Sequence, residues 1–412
     1  MNTLESVRKN ALAAIENAKD TIISAGRHIW QNPEPGYREV KTSEYIVGEL
    51  KKLGLRVTEN LAMTGFRADI DTGRPGPTVA ILGELDSLII PNHPECDPAT
   101  GAVHACGHNI GGAGLIGTAI AILAVKDDLC GKIALIGTPA EEGKGGKILM
   151  LQKGVFDGVS AILEAHPGHK TTPDVGELSV QRCTVKFHGK AAHAAICPEK
   201  GLNALEAACD FVCALKEWKK TLGKRERVHG ILTKGGEVPN IIPAYAEAFY
   251  YLRAPNEKYL LPMQERFTQI AEEAAAGNGC SCELVWGTNS YKGMVFNHAL
   301  NAELPAIWKE LTDEEIAMTT GTEGKASSDT GNVSYLVPCA QYHFGVTGGK
   351  VVPLHTPEFC AEAGTEYAFE QSLKIGQAMA LVAEKYFKDP SFRLQVRKDF
   401  EEELARSTGA EK

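Results

Sequence analysis

Hydrophobic and polar positions follow two different rhythms along the chain. In the first part, short apolar runs without polar alternation are separated by helical patterns. The runs span residues 78–82, 132–137 and 159–163. Strands that are apolar on both faces are typical of a parallel sheet covered by helices on both sides. The pattern therefore predicts an α/β domain with a largely parallel sheet and helices on both faces.

The second rhythm begins near Gly176. Residues 178–187 alternate with period two, which indicates a sheet with one solvated face. The segments that follow are a helix at 203–222, strand-like runs near 230–232 and 244–252, a helix at 259–276 and a strand at 281–286. We therefore predict a small α+β domain at 178–292, inserted into a larger domain formed by 1–177 and 293–412. The larger domain ends in a long helix at about 365–387.

Composition narrows the choice of partners. The chain has 412 residues, 43% hydrophobic and 23% charged, with a formal net charge of -9 and no long Lys/Arg run. This argues against nucleic acid or an anionic membrane surface as a partner. The most apolar stretch, 113–125, is too short to span a bilayer, and the first twenty residues do not resemble a signal peptide. With 11 cysteines and no CxxC pair, a reduced, cytoplasmic protein is expected.

Metal-competent residues stand directly after the three apolar runs. Glu84 and Asp86 follow the first run, Glu141 and Glu142 the second, and His166 the third. Ligands of parallel α/β sheets bind outside the carboxyl ends of the strands, so these side chains are expected to converge.

Two further segments add potential ligands. Cys106 and His108 open a helix rich in small residues, where the helix dipole and a metal would stabilise a thiolate. His355 lies in a turn bounded by prolines. Each residue alone has an ordinary interpretation: a buried apolar cysteine, a surface histidine, a solvated acidic pair or a helix cap. Together they indicate a metal site.

These segments resemble a known family. The matching stretches are GELDSL (83–88), HACGHNIGGAG (104–114), PAEEGKGGKILM (139–150), HGKAAHAA (188–195), GGEVPNIIP (235–243), YYLRAP (250–255), SSDTGNVS (327–334) and LHTPEF (354–359). They resemble the aminoacylase/carboxypeptidase-G family of dinuclear metallopeptidases, peptidase family M20. The resemblance is strongest to the amidohydrolase branch that holds aminobenzoyl-glutamate hydrolases and β-alanyl-lysine-type dipeptidases.

The resemblance implies a role for each matching residue. Two divalent cations, zinc or manganese, would be held by Cys106, His108, Glu142, His166 and His355. Glu141 would be the general base, Asp86 would orient a ligand, and His193 would help to stabilise the oxyanion. Asn240 and Arg253 would hold the carboxylate of a small amide substrate. The inserted domain would act as a lid and as the surface of a homodimer.

Some positions depart from the family, and other functions stay open. Glu84 stands where other branches have a histidine ligand, so its role is undecided. Ser87-Leu88-Ile89 replaces the usual turn after Asp86, and Asn332 replaces an aspartate common in this branch. The alternatives to an amidohydrolase are a metal-free, catalytically inactive binding protein and an amide-forming or acyl-transferring enzyme that uses the same site.

Overall fold

A computed structural model describes residues 4–409 of the chain. The strands are β1 (Val57–Leu61), β2 (Gly65–Asp71), β3 (Thr78–Glu84), β4 (Leu88–Ile89), β5 (Ala102–Val103), β6 (Lys132–Thr138), β7 (Ala161–Gly168), β8 (Ser179–His188), β9 (Arg227–Lys234), β10 (Tyr245–Ala254), β11 (Ser281–Trp286) and β12 (Cys339–Gly345). The α-helices are α1 (Leu4–Asn17), α2 (Lys19–Trp30), α3 (Val40–Lys52), α4 (His108–Val125), α5 (Gly146–Gln152), α6 (Ala204–Trp218), α7 (Glu257–Gly277), α8 (His298–Asn301), α9 (Glu303–Thr312), α10 (Thr330–Ser334), α11 (Pro357–Ala363), α12 (Glu366–Lys388) and α13 (Pro390–Thr408).

The chain forms two compact units. Unit 1 contains the residues up to Gly176, with Val295–Glu323 and Asn332–Leu404, and unit 2 contains Glu177–Met294, Gly324–Gly331 and the described residues from Ala405 onward. The sequence-based division assigned everything after 292 to one domain, whereas the structure groups 324–331 with unit 2. The reason lies in local contacts: Leu178 N donates to the carbonyl of Ala326, and Arg253 donates to Ser327 Oγ.

Unit 1 is built on a six-stranded sheet with strand order β1-β2-β6-β3-β7-β12. Strands β6, β3, β7 and β12 are parallel, while β1 and β2 pair antiparallel at one edge. The predicted α/β class is confirmed. The antiparallel edge was not predicted, because β1 and β2 are short and mix charged with apolar positions, which leaves no uniform apolar run.

Helix α4 lies in the core of unit 1, packed against α1, α2 and α12. Its small residues allow this close packing: a Cβ on Gly114 would lie 2.6 Å from the Ile375 side chain, and one on Gly376 would lie 3.0 Å from the backbone of Gly117. The segment His108–Asp128 is long and apolar enough to cross a membrane by length and composition. Its most apolar window is 83% buried inside the protein, as expected of a core helix.

Unit 2 contains an antiparallel sheet with strand order β11-β8-β10-β9. Alternate residues of β10 are buried, and their partners in the core come from α6 and α7. The opposite face of the sheet carries the partly exposed positions. This confirms the predicted α+β unit and its one solvated sheet face.

Candidate metal centre

The carboxyl ends of three neighbouring parallel strands position the centre in unit 1. Glu84 ends β3 and is in register with Thr138, which ends β6. On the other side of β3, Leu82 is in register with Glu164 of β7, two residues before His166. The polar segments after the apolar runs therefore meet at one edge of the sheet, as predicted.

The loop after β6 turns both glutamates of the PAEE segment inward. Ala140 has a positive φ of 55°, a conformation that is costly for a residue with a Cβ. The buried carboxylate of Glu39 accepts the backbone N–H of Ala140 at 2.8 Å and holds this turn. Glu141 is 8% exposed, and the side chain of Glu142 is 14% exposed. Adjacent residues can thus both face the centre.

Two more backbone turns bring in the remaining ligands. Gly107 has a φ of 83° between Cys106 and His108, and a Cβ there would lie 2.9 Å from the side chain of Pro167. His355 has a φ of 66°, and its backbone N–H donates to the carbonyl of Ala105 at 2.8 Å. Strained non-glycine backbone of this kind persists where the surroundings hold it and is concentrated at functional sites.

The five predicted ligands come together as two triads. One contains Cys106, His108 and His166, and the other contains Cys106, Glu142 and His355. Within each triad the candidate ligand atoms lie within 4.8 Å of one another. Cys106 Sγ lies 3.5 Å from His166 Nε2, and His355 Nε2 lies 3.7 Å from Glu142 Oε1. The thiol of Cys106 is the member that the triads share.

Backbone carbonyls fix which ring nitrogen of each histidine can bind a cation. His108 Nδ1 lies 2.9 Å from the carbonyl oxygen of Asp86, and His166 Nδ1 lies 2.7 Å from that of Pro167. A carbonyl can only accept, so each Nδ1 carries a proton, and each Nε2 is the nitrogen that remains available to a cation. Among the described residues, Glu142 Oε1 is buried without a hydrogen-bond partner, and the buried His108 Nε2 faces Glu84 Oε2 at 3.1 Å. Such atoms are suited to metal ligation.

Burial dominates the protonation of the centre in the protein alone. It raises the pKa of the Cys106 thiol, with Glu142 adding to the effect, and raises the pKa of Glu142 to about 7. It lowers the pKa of His166 to about 4. Burial is also the largest single effect on His108 and opposes its charged form, but Glu84, Cys106 and Asp86 together outweigh burial, and the pKa of His108 lies well above its usual value. A cation would replace the protons on Cys106 and His108.

Glu84 belongs to a buried charge network that the sequence did not predict. Lys147 Nζ, fully buried, lies 2.6 Å from Glu84 Oε1 and 3.0 Å from Glu164 Oε1. Gln341 Nε2 donates to Glu164 Oε2 at 3.1 Å. The available signal was Glu164 itself, an acidic residue directly after an apolar strand run, which requires a partner when buried. The pattern could not say that the partner is Lys147.

The three predicted lid residues lie in unit 2. His193 is exposed, and its Nδ1 accepts the backbone N–H groups of Ala195 and Ile196 at 3.3 Å. Asn240 is also exposed and lies beside it, since Ala194 N donates to the carbonyl of Asn240. Arg253 lies near the C-terminal end of β10, whereas Asn240 precedes the N-terminal end of this strand. The structure therefore brings His193 and Asn240 together but separates them from Arg253 within one chain.

The family follows from a direct match. The sequence model described as Peptidase family M20/M25/M40 matches residues 65–379. The chain belongs to this family. The resemblance seen in the motifs is therefore confirmed, and the chain is a metallopeptidase or amidohydrolase of the M20 type.

Full-length relatives agree with this assignment. The Xaa-Arg dipeptidase of Mus musculus is 33% identical over 417 residues, which cover 96% of this chain and 93% of the relative. One of the subunits of the p-aminobenzoyl-glutamate hydrolase of Escherichia coli is 27% identical over 441 residues, 91% of each chain. Both relatives are named for splitting amide bonds. The metal-free and amide-forming alternatives are therefore not favoured.

Solved structures share the fold. A dinuclear metal-binding peptidase of the M20 family from Bacillus subtilis has a TM-score of 0.67 and 24% identity, covering 87% of this chain and 99% of that one. The aminobenzoyl-glutamate utilization protein from Klebsiella pneumoniae has a TM-score of 0.62 and 22% identity, with coverage of 87% and 97%. The M20 fold therefore extends over most of the chain.

Proposed function

We propose that the chain is a dipeptidase whose two triads would hold two divalent cations, with the thiolate of Cys106 belonging to both ligand sets. The single observation that carries this is the membership of Cys106 in both triads. Thiolate and imidazole donors favour zinc, while the carboxylate of Glu142 also admits manganese. The buried Nε2 of His108 and the buried Oε1 of Glu142 fit this ligand set.

The residues around the cations then divide the chemistry. When bound, the two cations would lower the pKa of water and polarise the amide carbonyl. Glu141 forms a close group with Glu84 and His108, without belonging to either cysteine triad. It is therefore placed to accept a proton from the attacking water and to deliver it to the leaving amine. The backbone carbonyl of Asp86 accepts from His108 and keeps its ring oriented.

Dipeptides with a basic C-terminal residue are our first candidate substrates. The Xaa-Arg dipeptidases of Mus musculus and Homo sapiens match this chain over 96% and 97% of its length, at 33% and 31% identity. The guanidinium of Arg253 is only partly exposed and donates to Ser327 Oγ at 2.5 Å. A fixed guanidinium suits the free carboxylate of such a substrate.

We also propose a homodimer in which His193 and Asn240 complete the site of the partner subunit. Arg253 lies eight positions after Tyr245 in β10, which corresponds to roughly 26 Å of strand. His193 and Asn240 lie beyond the other end of this strand. That length exceeds a dipeptide, so one chain cannot supply Arg253 and His193 to the same small substrate. A second copy of the lid supplies the missing group.

The edge of the unit 2 sheet supports this dimer. Strand β9 is at the edge, and Ile231 is 63% exposed and Leu232 40% exposed. Val238 and Ile241, in the segment that carries Asn240, are 48% and 47% exposed. Apolar side chains at an uncovered strand edge are suited to pairing with another chain.

A substrate panel tests the proposal. Protein loaded with zinc or with manganese is offered β-alanyl-lysine, alanyl-arginine, p-aminobenzoyl-glutamate and N-acetyl amino acids, and the released amine is quantified. We expect the basic dipeptides to be cleaved fastest and their C-terminal amides to be poor substrates. Faster cleavage of the N-acetyl amino acids would contradict the dipeptide assignment. A protein with two bound cations and no hydrolysis of any compound would contradict the whole proposal.

A further inference from the structure

Lys147 is a charged residue with no exposure to solvent. It lies in the first turn of α5, and its side chain is 0% exposed. Glu84 and Glu164, its two carboxylate partners, are 2% and 0% exposed at the side chain. Burying charges away from water is strongly unfavourable unless they are paired and hydrogen-bonded. The arrangement therefore calls for an explanation beyond packing.

The network is anchored in three adjacent strands. Glu84 ends β3, Glu164 lies in β7, and Gln341 of β12 is in register with Glu164. Gln341 Nε2 donates to Glu164 Oε2, and Glu164 Oε1 faces Lys147. The ammonium group is thus held in position by residues of the central sheet. Lys147 is in turn able to fix the carboxylate of Glu84.

The other oxygen of Glu84 faces the metal centre. Oε1 is held by Lys147, whereas Oε2 lies 3.1 Å from His108 Nε2 and 3.9 Å from His166 Nε2. These are the ring nitrogens that the backbone carbonyls leave available to a cation. A negative charge is therefore held beside the histidine triad.

The two triads differ in what they offer a cation. Besides the shared thiolate, one supplies two neutral imidazoles, and the other supplies the Glu142 carboxylate and one imidazole. The histidine triad thus has one negative charge fewer among its own ligands. Glu84 lies where it would compensate for this difference.

We propose that Lys147 is a positioning residue that, through Glu84, supports the cation bound by His108 and His166. This inference rests on the proposed two-cation centre. Lys147 holds Glu84 with one oxygen turned toward the two imidazoles. The cation on the Glu142 and His355 side does not depend on this contact. Groups that orient a metal site from outside the ligand set are typically worth about 10–100-fold in metal affinity.

The test measures the affinity of each cation separately. Bound metal is removed from the purified full-length protein, which is then titrated with zinc in the presence of a competing chelator. A parallel titration with cobalt is followed by absorbance. Reference variants His166→Ala and His355→Ala identify which binding step belongs to which triad. The binding step that is lost in His166→Ala belongs to the cation of the histidine triad. In Lys147→Met we expect the zinc affinity of this step to be about 10–100-fold weaker. The step removed by His355→Ala should stay as in the wild type.

Two further variants test the route through Glu84. Glu84→Gln keeps the shape but removes the charge, so it should weaken the same cation. When Glu84→Gln is combined with Lys147→Met, the loss of cation affinity should be little larger than in either single variant, because both changes act on one carboxylate. Fully additive effects would overturn the proposal. Lys153→Met, which removes an exposed lysine at the end of the same helix, is the matched control and should leave both steps unchanged.

The remaining outcomes are also decisive. Lys147→Met leaves two buried carboxylates together and can fail to fold, so the double variant Lys147→Met/Glu164→Gln removes one of these charges. We expect it to show the same selective loss, while Glu164→Gln alone keeps both cations. If these variants melt at lower temperature but bind both cations as the wild type does, Lys147 is structural only. If the wild type itself does not bind two cations, the proposed centre fails first.

Discussion

The backbone N–H of Glu142 donates to Oδ2 of Asp86 at 3.0 Å. The backbone carbonyl of the same Asp86 faces His108 Nδ1. One buried residue therefore contacts one ligand of each triad, Glu142 through its side chain and His108 through its backbone carbonyl. The two sites should behave as one preorganised unit.

The shared thiol leads to the first prediction. Because Cys106 belongs to both triads, Cys106→Ala should weaken the binding of both cations. His166→Ala and His355→Ala should each weaken mainly the binding of the one cation held by that residue's own triad. Metal content of the purified variants, measured after dialysis against a weak chelator, checks this. A Cys106→Ala protein that retains two full equivalents of metal would contradict the role of Cys106 as a ligand of both cations.

The second prediction concerns Glu141. The amide of Glu141→Gln cannot accept the proton of the attacking water, so turnover should fall by roughly 10²–10⁴. Since Glu141 is in neither cysteine triad, the variant should keep both cations and a KM within a few-fold of the wild type. Steady-state kinetics and metal analysis on the same preparation separate these effects. Near-normal turnover would assign the proton transfer to another carboxylate.

The third prediction concerns the dimer. Homodimers of His193→Ala and of Glu141→Ala should each be nearly inactive. The first variant loses an oxyanion donor, which is worth roughly 2.7–4 kcal/mol. The second loses the general base. After mixing and subunit exchange, a heterodimer contains one complete site. The His193→Ala chain keeps its own Glu141 and receives His193 of the partner. Activity should therefore return on mixing.

Subunit exchange has to be verified independently, with one variant tagged and both recovered together. An equimolar mixture of Glu141→Ala with wild type should keep the full activity of its wild-type chains, and so shows that a heterodimer with one complete site is active. Heterodimers that form without any return of activity would show that His193 acts within its own chain or not at all.

The fourth prediction is a pH dependence of stability set by Asp174. This residue is fully buried, and burial raises its pKa from 3.8 to about 7, although the backbone N–H groups of Gly176 and Gln341 oppose the shift. The folded state therefore holds this proton more tightly than the unfolded state. The stabilisation is complete below about pH 4 and is lost as pH rises to about 7, by up to about 4 kcal/mol.

Denaturant unfolding of wild type and Asp174→Asn between pH 4 and pH 8 checks this dependence. The variant loses one backbone hydrogen bond at every pH, so the comparison uses the slope with pH and not the absolute stability. The wild type should lose stability relative to the variant as pH rises. Asp127→Asn, at an exposed position, should follow the wild-type curve. Parallel curves for Asp174→Asn and wild type would contradict the prediction.

Much of the fold was predictable because burial on two faces leaves a simple signal. The apolar runs at 78–82, 132–137 and 159–163 mark strands β3, β6 and β7, and the alternation at 178–187 marks β8. Helix α13 was not predicted. It buries Phe392, Val396 and Phe400, spaced four apart in an otherwise polar segment, and so gives a weaker pattern than α12.

The sequence by itself determined the kinds of residue available for chemistry and their place at strand ends. The residue pattern indicated a metal site at the strand ends, and the family resemblance implied Cys106, His108, Glu142, His166 and His355 as its ligands. Only the tertiary structure decided that they form two triads with one shared thiol. It also decided that Lys147 forms ion pairs with both Glu84 and Glu164. Coulombic and ligand interactions depend on distances of a few ångström between residues far apart in the chain, and these distances are set by the packing of the sheet and its loops.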